Sequence, residues 1–331
     1  MKKCIALVLA LALCLGLTSA LAAEYTLRTS TNLAATSTVG QGLAKFVELV
    51  NEKSGGRIEA TANFGSEMGS QAEQVAMAQF GDLEMVVAAP GTGPGAYEGC
   101  EPLLLYEFPF LFKDNDQYRR VLKATLTQVN EMVNPIGFTA MGGMSQGARD
   151  ILTTKPVKSI DDMKDLVMRG PNAVYISMFE SVGAAGITMD WNEIYTAMQN
   201  GTCDGCEGSP SSLHASALED NGKNLAITNH IIACVYYFFN TDWYSALPED
   251  LKAVIGEAVD EAVAYQEALD DADQTAALDA MKANGVTVTE IQDIDAWKAA
   301  SYMAMGMAAH KSAQRDGELV AVTDFGDPPA N

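Results

Sequence analysis

The sequence predicts an α/β protein of two lobes braced by one long helix. Three observations predict it. Apolar runs and helical periodicities alternate in β-α-β-α-β order early in the chain. The 331 residues exceed a single comfortable core, at about 100–200 residues per domain. From Pro248 to about Ala283 there is no further proline and one glycine, Gly256.

The chain opens with Lys2 and Lys3, an apolar stretch from Ile5 to about Leu17, and the small residues of TSALAA. These are the three parts of a secretory signal, with cleavage expected after Ala22. The apolar stretch is shorter than the roughly 20 residues of a membrane span, so no direct membrane insertion is expected after cleavage. Cys14 follows Leu13, where a lipid-modified cysteine needs a small neighbour, and no lipid anchor is expected.

In the first lobe, YTLRTSTN alternates and reads as a strand. Val39, Leu43, Phe46, Val47 and Val50 then recur at helical spacing, and the Gly55-Gly56 pair stops that helix. RIEATANF is a strand, SQAEQVAMAQFGD a helix closing at Gly81, and LEMVVAA a strand entering the loop PGTGPGAYEG. This order implies a mainly parallel sheet covered on both faces. After LYEFPFLFKDNDQYRRVL the pattern resumes: GFTAMGGM as strand, DDMKDLVMR as a short helix running into a strand, and AVYISMFESVG as helix. ITMD and WNEIYTAMQNG follow as strand and helix. The long helix has Pro248, Glu249 and Asp250 at its start, and at about 1.5 Å per residue it exceeds ~50 Å, longer than one lobe. A break at Gly256 or at LDDAD is the alternative. The expected division is a leader over 1–22, lobe I over 23–146 plus 234–273, and lobe II over 147–233 plus 274–331.

Charge narrows the partners. The 21 basic and 43 acidic residues give −22; the leader holds two lysines and no acid, so the mature charge is −24. Such a surface repels nucleic acid and anionic lipid. It also repels small anions, so an anionic ligand needs a few local cations. Cys100, Cys203, Cys206 and Cys234 outlast cleavage, too few for a disulfide scaffold.

His214, His230 and His310 have no metal-binding spacing, and neither a metal nor another cofactor is expected. The C-x-x-C of CDGC (Cys203, Cys206) lacks the second half of a zinc site and follows a helix instead of opening one; it reads as a structural disulfide or two plain thiols, with a thiol oxidoreductase as rival. No G-x-S-x-G occurs, and GTGPG lacks dinucleotide-loop spacing; it reads as a tight loop leaving room beside a ligand. Arg149 and Arg169 differ from these. Each falls at an expected strand or loop terminus of the second lobe, where open α/β sheets place ligands, and two guanidinium forks suit a carboxylate.

The whole mature chain resembles the solute-binding subunits of tripartite ATP-independent periplasmic (TRAP) transporters, of the dicarboxylate-binding (DctP) type. The blocks GLAKFVELVNEKSGGRIEA, GSEMGSQAEQVAMAQFGDLEMVV, YEFPFLFKD, MRGPNAVYISMFESVGA, WNEIYTAMQNGTCDG and LAITNH carry the resemblance. It implies a periplasmic, non-catalytic protein, monomeric, whose two lobes, joined by hinge strands and a long helix, close on an organic acid and deliver it to the membrane permease. By the same resemblance Arg169, in MRGP, pairs with the ligand carboxylate and Arg149 adds a second fork. Trp191 packs on the ligand, and Glu207, Gly208, His230 and Asn32 complete the expected contacts. Gly208 stands where relatives carry asparagine. Ala89 and Val167 stand where sialic-acid binders carry a glutamate and an extra arginine. Those departures remove polar partners and, with Trp191, suggest a wider, more apolar pocket. A monocarboxylate with an apolar or aromatic body is expected first, a C4-dicarboxylate second. An interaction protein without a small ligand is a third reading.

Overall fold

A computed structural model describes residues 23–313. The expected leader, the side chain of His310 and residues 314–331 of the expected lobe II lie outside the described residues. The chain starts as read: β1 (Tyr25–Thr31), α1 (Thr38–Lys53), β2 (Ile58–Asn63), α2 (Gln71–Phe80) and β3 (Met85–Ala88). Local chemistry sets the ends of α2. Ser70 and Glu73 form a reciprocal capping box, and Gly81 closes the helix at φ 84°, a left-handed turn that glycine adopts without strain. Then come α3 (Asn115–Ala124), α4 (Leu126–Val133), β4 (Phe138–Thr153), β5 (Val167–Gly170), α5 (Ala173–Glu180), β6 (Ala185–Thr188) and α6 (Ile194–Gln199). β7 (Gly205–Gly208), α7 (Pro210–Ala215), β8 (Asn224–Asn240), α8 (Thr241–Ala246), α9 (Glu249–Ala283), β9 (Thr287–Glu290) and α10 (Ile294–Ala313) complete the order.

The strands form the series β2-β1-β3-β8-β4-β7-β5-β6, with β9 beside β8. Parallel pairing holds in the two wings, among β1, β2 and β3 and among β5, β6 and β7. The parallel order expected from the first β-α-β-α-β run is thus present, as it is between β8 and β9, while the middle is antiparallel through β3–β8, β8–β4 and β4–β7. The reason is two strands of 16 and 17 residues. At about 3.3 Å per residue each runs more than ~50 Å, through both lobes. DDMKDLVMR forms the expected short helix, of 3-10 type, at Ile160–Met163 and runs into β5.

Side-chain alternation along β8 builds the first lobe's two layers. Tyr237 and Phe239 pack with Leu27, Phe46 and Val259, while Tyr236 and Phe238 turn the other way onto Tyr118 and Phe138. The second lobe repeats this about Met168, Phe179 and Trp297 on one face and Leu152, Ile194 and Met281 on the other. Each such side chain contributes about 1.5–3 kcal/mol by leaving water. The 35-residue α9 is unbroken at Gly256 and packs on α1, β4 and α7, so it spans both lobes.

The expected lobe borders at 146/147 and 233/234 fall inside β4 and β8. Here the ladder is irregular: Arg149 pairs with Ile231 and Ile151 with Ala226, so Asp150 alone faces the four residues Ile227 to His230. Asp150 Oδ1 clasps this bulge by accepting the N–H groups of Thr228 (2.8 Å) and Asn229 (3.0 Å), with Asn229 at φ 45°.

Opposite the crossing, α9 turns polar side chains inward. Gln266 Nε2 donates to Ser145 O (2.8 Å), and Gln274 Nε2 to Gln146 O (3.2 Å) and Asp270 Oδ1 (2.7 Å). Burial pushes the Asp270 carboxyl up to about 7, against the Gln274 hydrogen bond and Arg119. Between its ordinary value and about 7 the folded chain keeps a proton that the unfolded chain has released. This contribution to stability therefore falls as pH rises through that window. Asp270→Asn should lose about 2–3 kcal/mol less stability than wild type between about pH 5 and 8. Denaturant midpoints across that range check it, and parallel curves would refute it.

Candidate functional site

A cavity of ≈ 620 Å³ lies between the lobes and is lined by Asn32, Glu107, Arg149, Arg169, Tyr175 and Trp191 among others. Its size suits a small organic molecule. Asn32 follows β1, and Trp191 opens the turn before α6, where its Nε1 donates to Ser216 Oγ (3.0 Å). The two guanidinium carbons lie 5.9 Å (Arg149) and 5.7 Å (Arg169) from the Trp191 ring centre, and Arg149 lies 5.8 Å from that of Tyr175. These faces hold cations without supplying an anion.

Arg149 sits inside β4, not at a strand terminus as expected. Ladders to β8 and β7 on either side carry a glycine-rich, polar stretch that reads locally as loop. Its guanidinium pairs with Glu207 of β7: Nε and Nη2 donate to the two carboxylate oxygens, and Nη2 also to Glu207 O (3.1 Å). Burial alone would raise the Glu207 carboxyl; the Arg149 charge and hydrogen bonds, with His230 nearby, outweigh it and hold it at about 2.

Arg169, on β5, is 4% exposed. Among the described residues its side chain makes one hydrogen bond, from Nε to Met189 O (2.9 Å), and its Nη1 stays 3.7 Å from Glu207 Oε1. Burial, and repulsion from Arg149, lower its pKa despite the pull of Glu207. Two buried arginines thus share one acid, and Arg149 holds it.

Of the seven expected residues, Asn32, Arg149, Arg169 and Trp191 line the cavity together, whereas Glu207, Gly208 and His230 lie behind it. His230 Nδ1 shares a hydrogen bond with Thr228 Oγ1 (2.7 Å), its ring stacks on Trp297, and its Nε2 is 3.8 Å from Glu207 Oε2. Gly208 does not widen the pocket as expected. A Cβ there would meet Leu213 Cδ2 at 2.9 Å and Trp191 Cη2 at 3.1 Å, so neighbours already fill the space of the missing side chain. Gly208→Ala should cost about 1–3 kcal/mol and displace Trp191. Denaturant unfolding followed by tryptophan emission checks this; unchanged stability and emission would refute it.

Sequence reasoning missed Glu107 and Tyr175. Glu107 had a signal: a lone acid in the apolar run LYEFPFLF. The four remaining cysteines are free and buried, so Cys203 and Cys206 form no disulfide. Burial pushes both thiols up, the reverse of what a reactive thiol needs.

Two α/β lobes, joined by long strands and flanking a cavity with two buried arginines in its lining, define a solute-binding protein. The family model described as "Bacterial extracellular solute-binding protein, family 7" matches residues 29–310, and the chain belongs to this family, that of the TRAP transporter solute-binding proteins. The chain is 27% identical over 288 residues, 85% of each chain, to a C4-dicarboxylate-binding periplasmic protein of Rhodobacter capsulatus. A TRAP solute-binding protein of Sulfitobacter sp. NAS-14.1, solved with β-D-galacturonate, superposes with a TM-score of 0.81 at 22% identity, over 91% of this chain and all of that one. One from Desulfovibrio salexigens, solved with orotic acid, has a TM-score of 0.79 and 26% identity, over 88% and 95%. Among the described residues no helix is long and apolar enough to cross a membrane.

Proposed function

We propose that the protein captures a small organic acid between its lobes by pairing the ligand carboxylate with Arg169, and hands it to a TRAP membrane permease. The observation that carries this is the imbalance in the cavity. Two buried guanidinium groups face Glu207, whose carboxylate hydrogen-bonds Arg149 alone, and the Nη groups of Arg169 have no hydrogen-bond acceptor among the described residues. A ligand carboxylate supplies the missing charge and matches the fork.

Glu207 and His230 act from behind, holding Arg149 in place and keeping its charge off the ligand. Trp191 and Tyr175 offer flat faces to the ligand body, and Asn32 a polar contact. A monocarboxylate with an apolar or aromatic body fits this wall first. The relative solved with orotic acid, a carboxylate on a flat ring, agrees with it. A C4-dicarboxylate is second, as the name of the Rhodobacter relative suggests. Closure is stabilised by contacts that one ligand makes to both lobes. The protein works as a monomer, after export to the periplasm.

A thermal-shift screen over aromatic, keto, sugar and dicarboxylic acids tests the class. A true ligand at about 100 times its dissociation constant adds about 2.7 kcal/mol of stability. Silence across the whole panel would overturn the proposal.

A further inference from the structure

The cavity contains a carboxyl group that pairing at Arg169 does not use. Glu107 is 2% exposed and lines the same space as Arg169. It is held from both sides of the cleft. Gly91 N donates to Oε1 (3.0 Å), and Nδ2 of Asn172, which caps α5 in the second lobe, donates to Oε2 (2.5 Å). A carboxylate has about four acceptor positions, so each oxygen keeps one for an occupant of the cavity. The neighbouring loop is shaped to this group: a Cβ at Gly91 would lie 2.6 Å from the Glu107 carboxyl carbon.

The groups that face Glu107 are Arg149 from β4, Glu207 from β7, Tyr175 from α5, Tyr118 from α3 and Cys234 from β8. The one cation among them, Arg149, is already matched by Glu207. Once a ligand carboxylate meets Arg169, the described lining has no cation left for a second anionic group.

We propose that Glu107 sets the specificity of this cavity: it accepts a hydrogen bond from an N–H or O–H on the ligand end remote from its carboxylate, and it disfavours a second carboxylate. The inference rests on the Arg169 reading. A dicarboxylate beside ionised Glu107 places two like charges next to each other where Glu107 is screened from bulk water, and entry then requires a proton shared between them. Burial, opposed by the Asn172 and Gly91 hydrogen bonds and by Arg149, pushes the Glu107 carboxyl up to about 7. The proton is therefore present below neutrality and lost above it. Dicarboxylate binding takes up a proton and weakens as pH rises; binding of a monocarboxylate with a donor end does not.

Isothermal titration of orotate, D-glucuronate and succinate at about pH 6 and 8, in buffers of differing ionisation enthalpy, tests this on wild type, Glu107→Gln and Arg169→Ala. At the higher pH wild type should prefer orotate or glucuronate to succinate by about tenfold or more, the factor that one pH unit of proton competition imposes. The preference should shrink at the lower pH and in Glu107→Gln. Unchanged preference in Glu107→Gln, or a wild-type preference for succinate at the higher pH, overturns the role of Glu107 and leaves that of Arg169 standing. Binding of none of the three to wild type, or undiminished binding to Arg169→Ala, overturns the Arg169 reading and this inference with it. Should Glu107→Gln fail to fold, the wild-type data decide, because a pH-independent preference without proton uptake refutes the role of Glu107.

Discussion

Arg169→Ala should reduce ligand affinity by about 10²–10⁴-fold, taking a micromolar binder beyond calorimetric detection. The size follows from what remains. The ligand carboxylate would enter the cavity without its partner, and breaking a buried ion pair from one side costs about 3–5 kcal/mol, at 1.4 kcal/mol per tenfold. Arg149 is a poor substitute, because Glu207 already matches its charge and engages its Nε and Nη2. The empty protein should tolerate the change well. Arg169 is a buried cation whose charge the surroundings disfavour, so its removal relieves repulsion with Arg149. Calorimetry and unfolding curves on the same preparation separate the two effects. Micromolar binding retained by a folded variant would remove Arg169 from the site.

Glu207→Gln should do the reverse and strike the fold first, lowering unfolding free energy at neutral pH by about 3–5 kcal/mol, because it leaves buried arginines unmatched. The wild-type pH profile should carry the same interaction with a definite sign. The folded Glu207 pKa lies below its ordinary value, so this stabilisation is complete above the usual carboxylate range and is lost as pH falls toward about 2. Equilibrium denaturation measures both. A loss below about 1 kcal/mol, the size of an exposed pair, would mean that the pair adds little to the fold.

Much of this was legible before any coordinates. The periodicity of α1 and α2, the glycine stop at Gly81 and the uninterrupted run of α9 are local signals, and locally they decide the outcome. Arg169 and Trp191 were found because they lie in strongly patterned blocks. Local pattern ends β4 at Met144 and marks none of the 17 residues of β8 as strand. Pairing across the sheet, between segments about 80 positions apart in sequence, makes them strands, and propensity does not contain that information. The same blindness placed Arg149 at a terminus and Glu207 in the cleft. A sequence shows that acids and arginines exist, not which of them have already found each other.

The mismatch between the two long strands has a mechanical result. Where one residue of β4 stands against four of β8 the slack lies on β8, whereas two smaller shifts, at Met141/Met144 and Ser145/Ala148, put the extra residue on β4. Rotation of one lobe against the other can be taken up by torsions in that slack, with the pairing above and below it left intact. Asp150 gathers the slack with two backbone bonds. That carboxylate is next in sequence to Arg149, so this bulge and the arginine beside the cavity share one short stretch of chain.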